Sequence, residues 1–147
     1  MKSLHILTFA LVSVFTTASL SAHCQVPCGI YADDNVFVGL QKDQETIEKA
    51  MKQITELSKD AGKNANQLVR WVTNKEKHAT SIQQTVAQYF LAQRVKLAEA
   101  EKNPANYAKK LAQLHQITVL AMKCKQTTDV ANAQKLGKAI VAFKATY

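Results

Sequence analysis

Ile47-Glu48-Lys49-Ala50-Met51-Lys52-Gln53-Ile54-Thr55-Glu56-Leu57 is the stretch that decides the fold. Ile47, Met51, Ile54 and Leu57 recur at intervals of four, three and three, which winds them onto one face of an amphipathic helix. Asp60-Ala61-Gly62-Lys63-Asn64 then breaks the pattern. A longer helix is expected from about Asn66 to Lys96, with Leu68, Trp71, Val72, Ala79, Ile82, Val86 and Phe90 on an inward stripe. Glu101-Lys102-Asn103-Pro104 closes the following connection, and Pro104 suits the first turn of a third helix carrying Tyr107, Leu111, Leu114, Ile117 and Ala121. Thr127, Thr128 and Asp129 supply capping chemistry for a fourth helix with Leu136, Ile140, Phe143 and Tyr147. Upstream, Ala32-Asp33-Asp34-Asn35 reads as a turn, and Val36-Phe37-Val38 is too short to classify by periodicity.

Four apolar-striped helices with short connections predict an all-α, antiparallel up-and-down four-helix bundle over about residues 43–147. Only 4 Gly and 2 Pro occur in the 147 residues. That scarcity of breakers favours long helices. No internal repeat, low-complexity tract or β-rich run competes, and the length suits one domain.

Residues 1–22 read as a cleaved signal peptide. Lys2 gives a positive start, Leu4 to Phe15 is almost continuously apolar, and Thr16 to Ala22 is a run of mostly small residues. The apolar run is too short to favour a membrane span. Cleavage after Ala22 would make His23 the first residue of an exported, periplasmic or extracellular protein of residues 23–147. A cut after Ala18 is the competing position. A lipoprotein signal ahead of Cys24 is a third option, but His23 stands where that signal needs a small residue.

His23-Cys24-Gln25-Val26-Pro27-Cys28-Gly29-Ile30-Tyr31 would then open the mature chain. Cys24 and Cys28 offer sulfur, His23 offers imidazole, and cleavage adds a primary amine at the same residue. The Cys24 backbone nitrogen lies between that amine and the Cys24 sulfur, so its deprotonation completes a chelate that Cys28 can close. Planar coordination of this kind suits nickel(II) or copper(II), whereas zinc prefers a tetrahedron. Pro27 fixes one φ angle and Gly29 permits a tight turn.

The run His-Cys-x-x-Pro-Cys-Gly-x-Tyr at 23–31 resembles the nickel hook of the nickel-dependent superoxide dismutases. Residues beyond it resemble that family more loosely, as a helical bundle with a Tyr-Phe pair at 89 and 90. The resemblance implies an enzyme that converts superoxide to oxygen and hydrogen peroxide by Ni(II)/Ni(III) cycling, with His23, Cys24 and Cys28 as the metal ligands. It implies that Tyr31 stands near the open face of the metal and orders water or the incoming anion, and that Tyr89 matches a second such tyrosine. It also implies a homohexamer. Gln25 departs from the family's acidic residue at a position that donates nothing to the metal. The family anchors its axial imidazole with a carboxylate and a basic residue from the bundle; Asp43 or Glu45 could supply the first, and Arg70, Lys75 or His78 the second.

The competing reading is an exported helical-bundle protein without enzymatic activity, with a Cys24–Cys28 disulfide or a passive metal-binding hook. Cys124 is expected to be a buried or half-buried thiol, His78 and His115 ordinary helix histidines, and Tyr107, Trp71, Phe90 and Phe143 core residues. The 19 Lys and Arg against 11 Asp and Glu give a net charge of +8, which falls by one when Lys2 leaves with the leader. A positive field draws an anion such as superoxide toward a metal. No interleaved basic-aromatic groove points to nucleic acid, and no stable membrane insertion is expected after cleavage.

Overall fold

The computed structural model describes residues 33–147, so the leader and the hook, including His23, Cys24, Cys28 and Tyr31, lie outside the described residues. The described chain is helical, with no strand. Four long helices, α1 (Asp33–Leu57), α2 (Ala61–Thr85), α4 (Pro104–Gln126) and α5 (Val130–Thr146), pack as a bundle, and α3 (Leu97–Lys102) is a single short connector. Helix α1 packs on α2 and α5, and α4 completes the ring by packing on α2 and α5.

α1 starts ten residues before the expected bundle boundary. Its first turn is the Asp33-Asp34-Asn35 segment read from sequence as a turn, and two acidic residues there complement the positive end of the helix. Phe37 and Leu40 extend the stripe of Ile47, Met51 and Ile54 into this turn, and all five are buried. A short 3₁₀ turn, Ser58–Asp60, reverses the chain. Asp60 accepts from the Lys63 amide at 3.3 Å, and Asn64 Nδ2 donates to the Leu57 carbonyl at 3.2 Å. One side chain thus caps the start of α2, and the other satisfies the end of α1. The breaker stretch is therefore real, but α2 begins at Ala61 rather than Asn66, with Gly62 inside the helix.

Two expectations for the second helix change. Trp71 and Val72 do not face the core. Trp71 is half-buried with Lys49 Nζ at 5.9 Å from its ring, and Val72 is exposed. On α2 the buried residues begin only at Lys75, followed by Ala79 and Ile82. The reason is length, since α1 has 25 residues and α5 has 17. At 1.5 Å per residue, α1 outruns α5 by roughly 12 Å, which leaves the α1–α2 turn without a third layer. The second change is that the helix does not remain α-helical to Lys96. Val86–Arg94 is π-helical, Val95 is extended, and α3 follows.

The remaining boundaries match the sequence. Asn103 caps α4 by accepting from the Asn106 amide at 3.2 Å with Pro104 in the first turn, and Asp129 caps α5 by accepting from the Ala131 amide at 3.0 Å. At Gly137, α5 comes so close to α1 that an added Cβ would lie 3.1 Å from Gln44 Cδ. Gln44 uses that closeness to donate to the Ala133 carbonyl at 3.0 Å. At the end of the bundle where α1 begins, Phe90 stands at the centre of an aromatic cluster. Its ring centroid lies 5.3 Å from Phe37, 5.0 Å from Phe143 and 5.5 Å from Tyr147. The Phe143 and Tyr147 rings stand edge-on to it and the Phe37 ring is tilted, geometries that add to the burial of apolar area. Phe90→Ala is expected to lower the unfolding free energy by about 3–5 kcal/mol, read from denaturant unfolding followed by circular dichroism.

Candidate functional site

A cluster of polar side chains gathers at the end of the bundle where α1 begins, drawn from three parts of the chain. Asp33 opens α1, two residues after Tyr31. Tyr89 and Arg94 come from the π-helical segment, and Tyr147 follows α5. Asp33 Oδ1 accepts from the Tyr89 hydroxyl and from Arg94 Nε at 3.1 Å and Nη2 at 2.5 Å. Its Oδ2 accepts from the Tyr147 hydroxyl at 3.1 Å. Arg94 Nη2 also donates to the Tyr89 oxygen at 3.2 Å, and its guanidinium lies 5.3 Å from the Tyr89 ring centre.

The π-helical geometry is what makes this cluster possible. In an α-helix, residues five apart stand about 140° apart around the axis, so Tyr89 and Arg94 would point in different directions. The wider π turn, marked by the Val95 amide donating to the Phe90 carbonyl at 2.9 Å, narrows that separation and turns Tyr89 and Arg94 toward the same side. Tyr89 and Phe90 are both buried in this segment, with Tyr89 edge-on to Phe90 at 5.2 Å.

Each protonation state follows from its neighbours. Burial pushes the Asp33 carboxyl up, but hydrogen bonds from Tyr89, Arg94 and Tyr147 and the Arg94 charge outweigh it, and the group sits below its ordinary value. Burial and the Asp33 carboxylate raise both Tyr89 and Tyr147. Hydrogen bonding to Asp33 raises Arg94 further, against the smaller opposing effect of its burial. The cluster is thus an ionised carboxylate, a guanidinium and two neutral phenols. The Tyr89 proton is directed at Asp33.

Among the candidates for anchoring an imidazole, the structure brings together one pair. His78 Nδ1 lies 2.7 Å from Asp43 Oδ1, linking α2 to α1 with both side chains partly buried. Glu45 and Arg70 are exposed. Lys75 is committed elsewhere, with only 4% of its surface exposed. Its ammonium donates to the Cys124 carbonyl at 2.8 Å and to the Lys125 carbonyl, capping the C-terminus of α4, and it pairs with Glu76 at 3.2 Å. Cys124 is a buried free thiol that burial pushes up to about 11, against a smaller opposing effect of Lys75. His115 is exposed, Tyr107 packs at the edge of the core, and Phe90 and Phe143 are within it. Among the described residues, no group of three His, Cys, Asp or Glu side chains could hold a metal ion, and no helix is long and apolar enough to cross a membrane.

Sequence reasoning missed Asp33, Arg94 and Tyr147 as site residues. The interval of five between Tyr89 and Arg94 has no meaning under a 3.6-residue period, and Tyr147 fitted an apolar stripe. The acidic pair at 33 and 34, next to the hook, was the available signal.

A family model described as nickel-containing superoxide dismutase matches residues 18–147. Neither the curated proteins nor the solved structures compared with the chain give a match.

The depressed Asp33 value fixes the sign of a pH effect. Its stabilising contribution is fully present above the unfolded carboxylate value of about 4 and is lost as pH falls through the lower folded value. The stability difference between the wild type and Asp33→Asn is therefore expected to be constant above about pH 5 and to shrink toward pH 2. Urea unfolding at a series of pH values measures it.

Proposed function

The chain belongs to the nickel-containing superoxide dismutases, and from that membership we propose that its ion is held by His23, Cys24 and Cys28 with Tyr31 beside it. The enzyme is a nickel-dependent oxidoreductase that converts two superoxide anions and two protons into oxygen and hydrogen peroxide. The observation that carries the residue assignment is the concentration of nitrogen and sulfur donors at residues 23–28, inside the matched span.

The donor set fits the metal. The His23 amine and imidazole, the Cys24 amide nitrogen and the two thiolates are strong donors, and such donors stabilise a trivalent state that aqueous nickel reaches only with difficulty. Nickel bound there supplies the one-electron redox couple. The remaining cysteine does not compete, because Cys124 is buried and held protonated. Tyr31 stands two residues from Asp33, so the chain places its Cα within about 7 Å of a fixed point on the bundle. From there its phenol orders water or the incoming anion. The positive net charge favours the encounter with superoxide. Asp43 and His78, already paired, are the carboxylate and basic group on the bundle best suited to hold the His23 imidazole.

This reading requires the Ala22–His23 bond to be cut, which residues 1–22 supply as an export signal and which creates the terminal amine. It also includes a homohexamer, for which exposed Val69 and Val72, three residues apart on α2, offer apolar contact surface. Light scattering of the purified protein reads that assembly directly.

Protein beginning at His23 and reconstituted with nickel is expected to bind about one ion per chain and to dismutate superoxide, with Cys24→Ser and Cys28→Ser each abolishing both. One extra residue ahead of His23 is expected to weaken activity by displacing the amine. A fully loaded protein without activity overturns the assignment.

Thiol counting gives a separate check. Reduced, metal-free, folded protein is expected to react quickly at Cys24 and Cys28, and Cys124 only after denaturation. A Cys24–Cys28 disulfide formed in the absence of reductant and resistant to nickel loading would favour the non-enzymatic alternative.

A further inference from the structure

We propose that Asp33 is a positioning residue for the metal centre: clamped by Tyr89, Arg94 and Tyr147, it fixes the point at which the metal-binding segment leaves the bundle. The proposal rests on the ligand assignment above, and the observations behind it are those of the described bundle. One carboxylate receives donors from a π-helical segment 56 and 61 residues away and from Tyr147, 114 residues away. A helix N-terminus needs no such convergence for its own capping. The four side chains unite the start of α1, the break in the second helix and the end of α5 at one spot, and covalent geometry holds Cys28 within about 18 Å of it.

The energetic consequence concerns the ligand segment. A chain that must wrap an ion loses less conformational freedom when one of its ends is already fixed, because the free length that must be ordered is shorter. Asp33 sets that end. The same clamp turns the Tyr89 phenol away from substrate chemistry, because its proton goes to Asp33 and its oxygen accepts from Arg94. Tyr89 therefore acts through Asp33, as a second positioning residue, whereas Tyr31 is left as the tyrosine that meets the anion. Arg94 is required as arginine, since it donates to Asp33 through two nitrogens at once.

The test compares the mature wild type with Asp33→Asn, Tyr147→Phe and, in parallel, Cys24→Ser. Asp33→Asn replaces an acceptor by an amide whose nitrogen faces donors, and it is expected to weaken nickel binding about 10- to 100-fold in competition with a chelator, the range typical of groups that orient a ligand. The electron paramagnetic resonance spectrum of its oxidised nickel form is expected to broaden, a change that lower global stability does not produce. Tyr147→Phe keeps the ring against Phe37, Phe90 and Phe143 and removes only the hydroxyl, so it reads the clamp even if Asp33→Asn does not fold. It is expected to shift affinity in the same direction by a smaller factor. Wild-type affinity and spectrum in the folded variants, with Cys24→Ser losing nickel, overturn the clamp and leave the ligand assignment standing. Nickel retained by Cys24→Ser overturns both.

Discussion

A charge that is partly removed from water has to be matched, and the ionised Asp33 carboxylate at the head of α1 sets that requirement for the whole end of the bundle. Arg94 answers it with two nitrogens, and two phenols answer the remaining lone pairs. Each donor constrains a different part of the chain. Arg94 reaches Asp33 together with Tyr89 where the second helix widens into a π turn. Tyr147 can reach it only if α5 runs the full distance to the start of α1. Tyr89 and Tyr147 belong to both clusters, with Tyr89 edge-on to Phe90 and Tyr147 against Phe37, Phe90 and Phe143. The polar cluster therefore ties together the segments that carry the rings.

The sequence made the bundle legible because a 3.6-residue period is a direct image of burial. Ile47, Met51, Ile54, Ala79, Ile82, Val86, Leu114, Ile117, Leu136 and Ile140 were all assigned to inward stripes and are all buried. The first-turn Pro104 and the Asp129 cap were legible because such terminus signals are local in sequence. What escaped were features in which the period itself changes or the partner is remote. The π turn shifts register within an unbroken helical sequence, and nothing in Val86-Ala87-Gln88-Tyr89 announces it. Asp33 and Asp34 resemble a turn when read alone, and only the pull of Phe37 and Leu40 into the core makes them a helix start. Trp71 looked like core because its size outweighs its position, yet it lies where the neighbouring helices have run out.

The division of labour between hook and bundle was legible on one side only. Donor chemistry is written in residue type and spacing, so His23, Cys24 and Cys28 stood out without any fold. The support for them is written in distances between residues far apart in sequence. Of the five candidates weighed for the imidazole's partners, geometry joins Asp43 to His78 and removes Lys75, whose ammonium instead satisfies the carbonyl end of α4. The Tyr89 hydroxyl, for a related reason, was not legible as a partner of Asp33, to which it donates its proton.

The turns at Ser58–Asp60 and Thr127–Asp129 have a kinetic consequence. Each joins two long helices that pack against one another, so much of the fold is built from contacts between sequence neighbours. Topologies of that kind collapse to the native state in microseconds to milliseconds, whereas pairings that close long loops take far longer. Assembly of the bundle is therefore expected to be fast. The α1–α2 and α4–α5 pairs thus form from contacts that need no long loop closure.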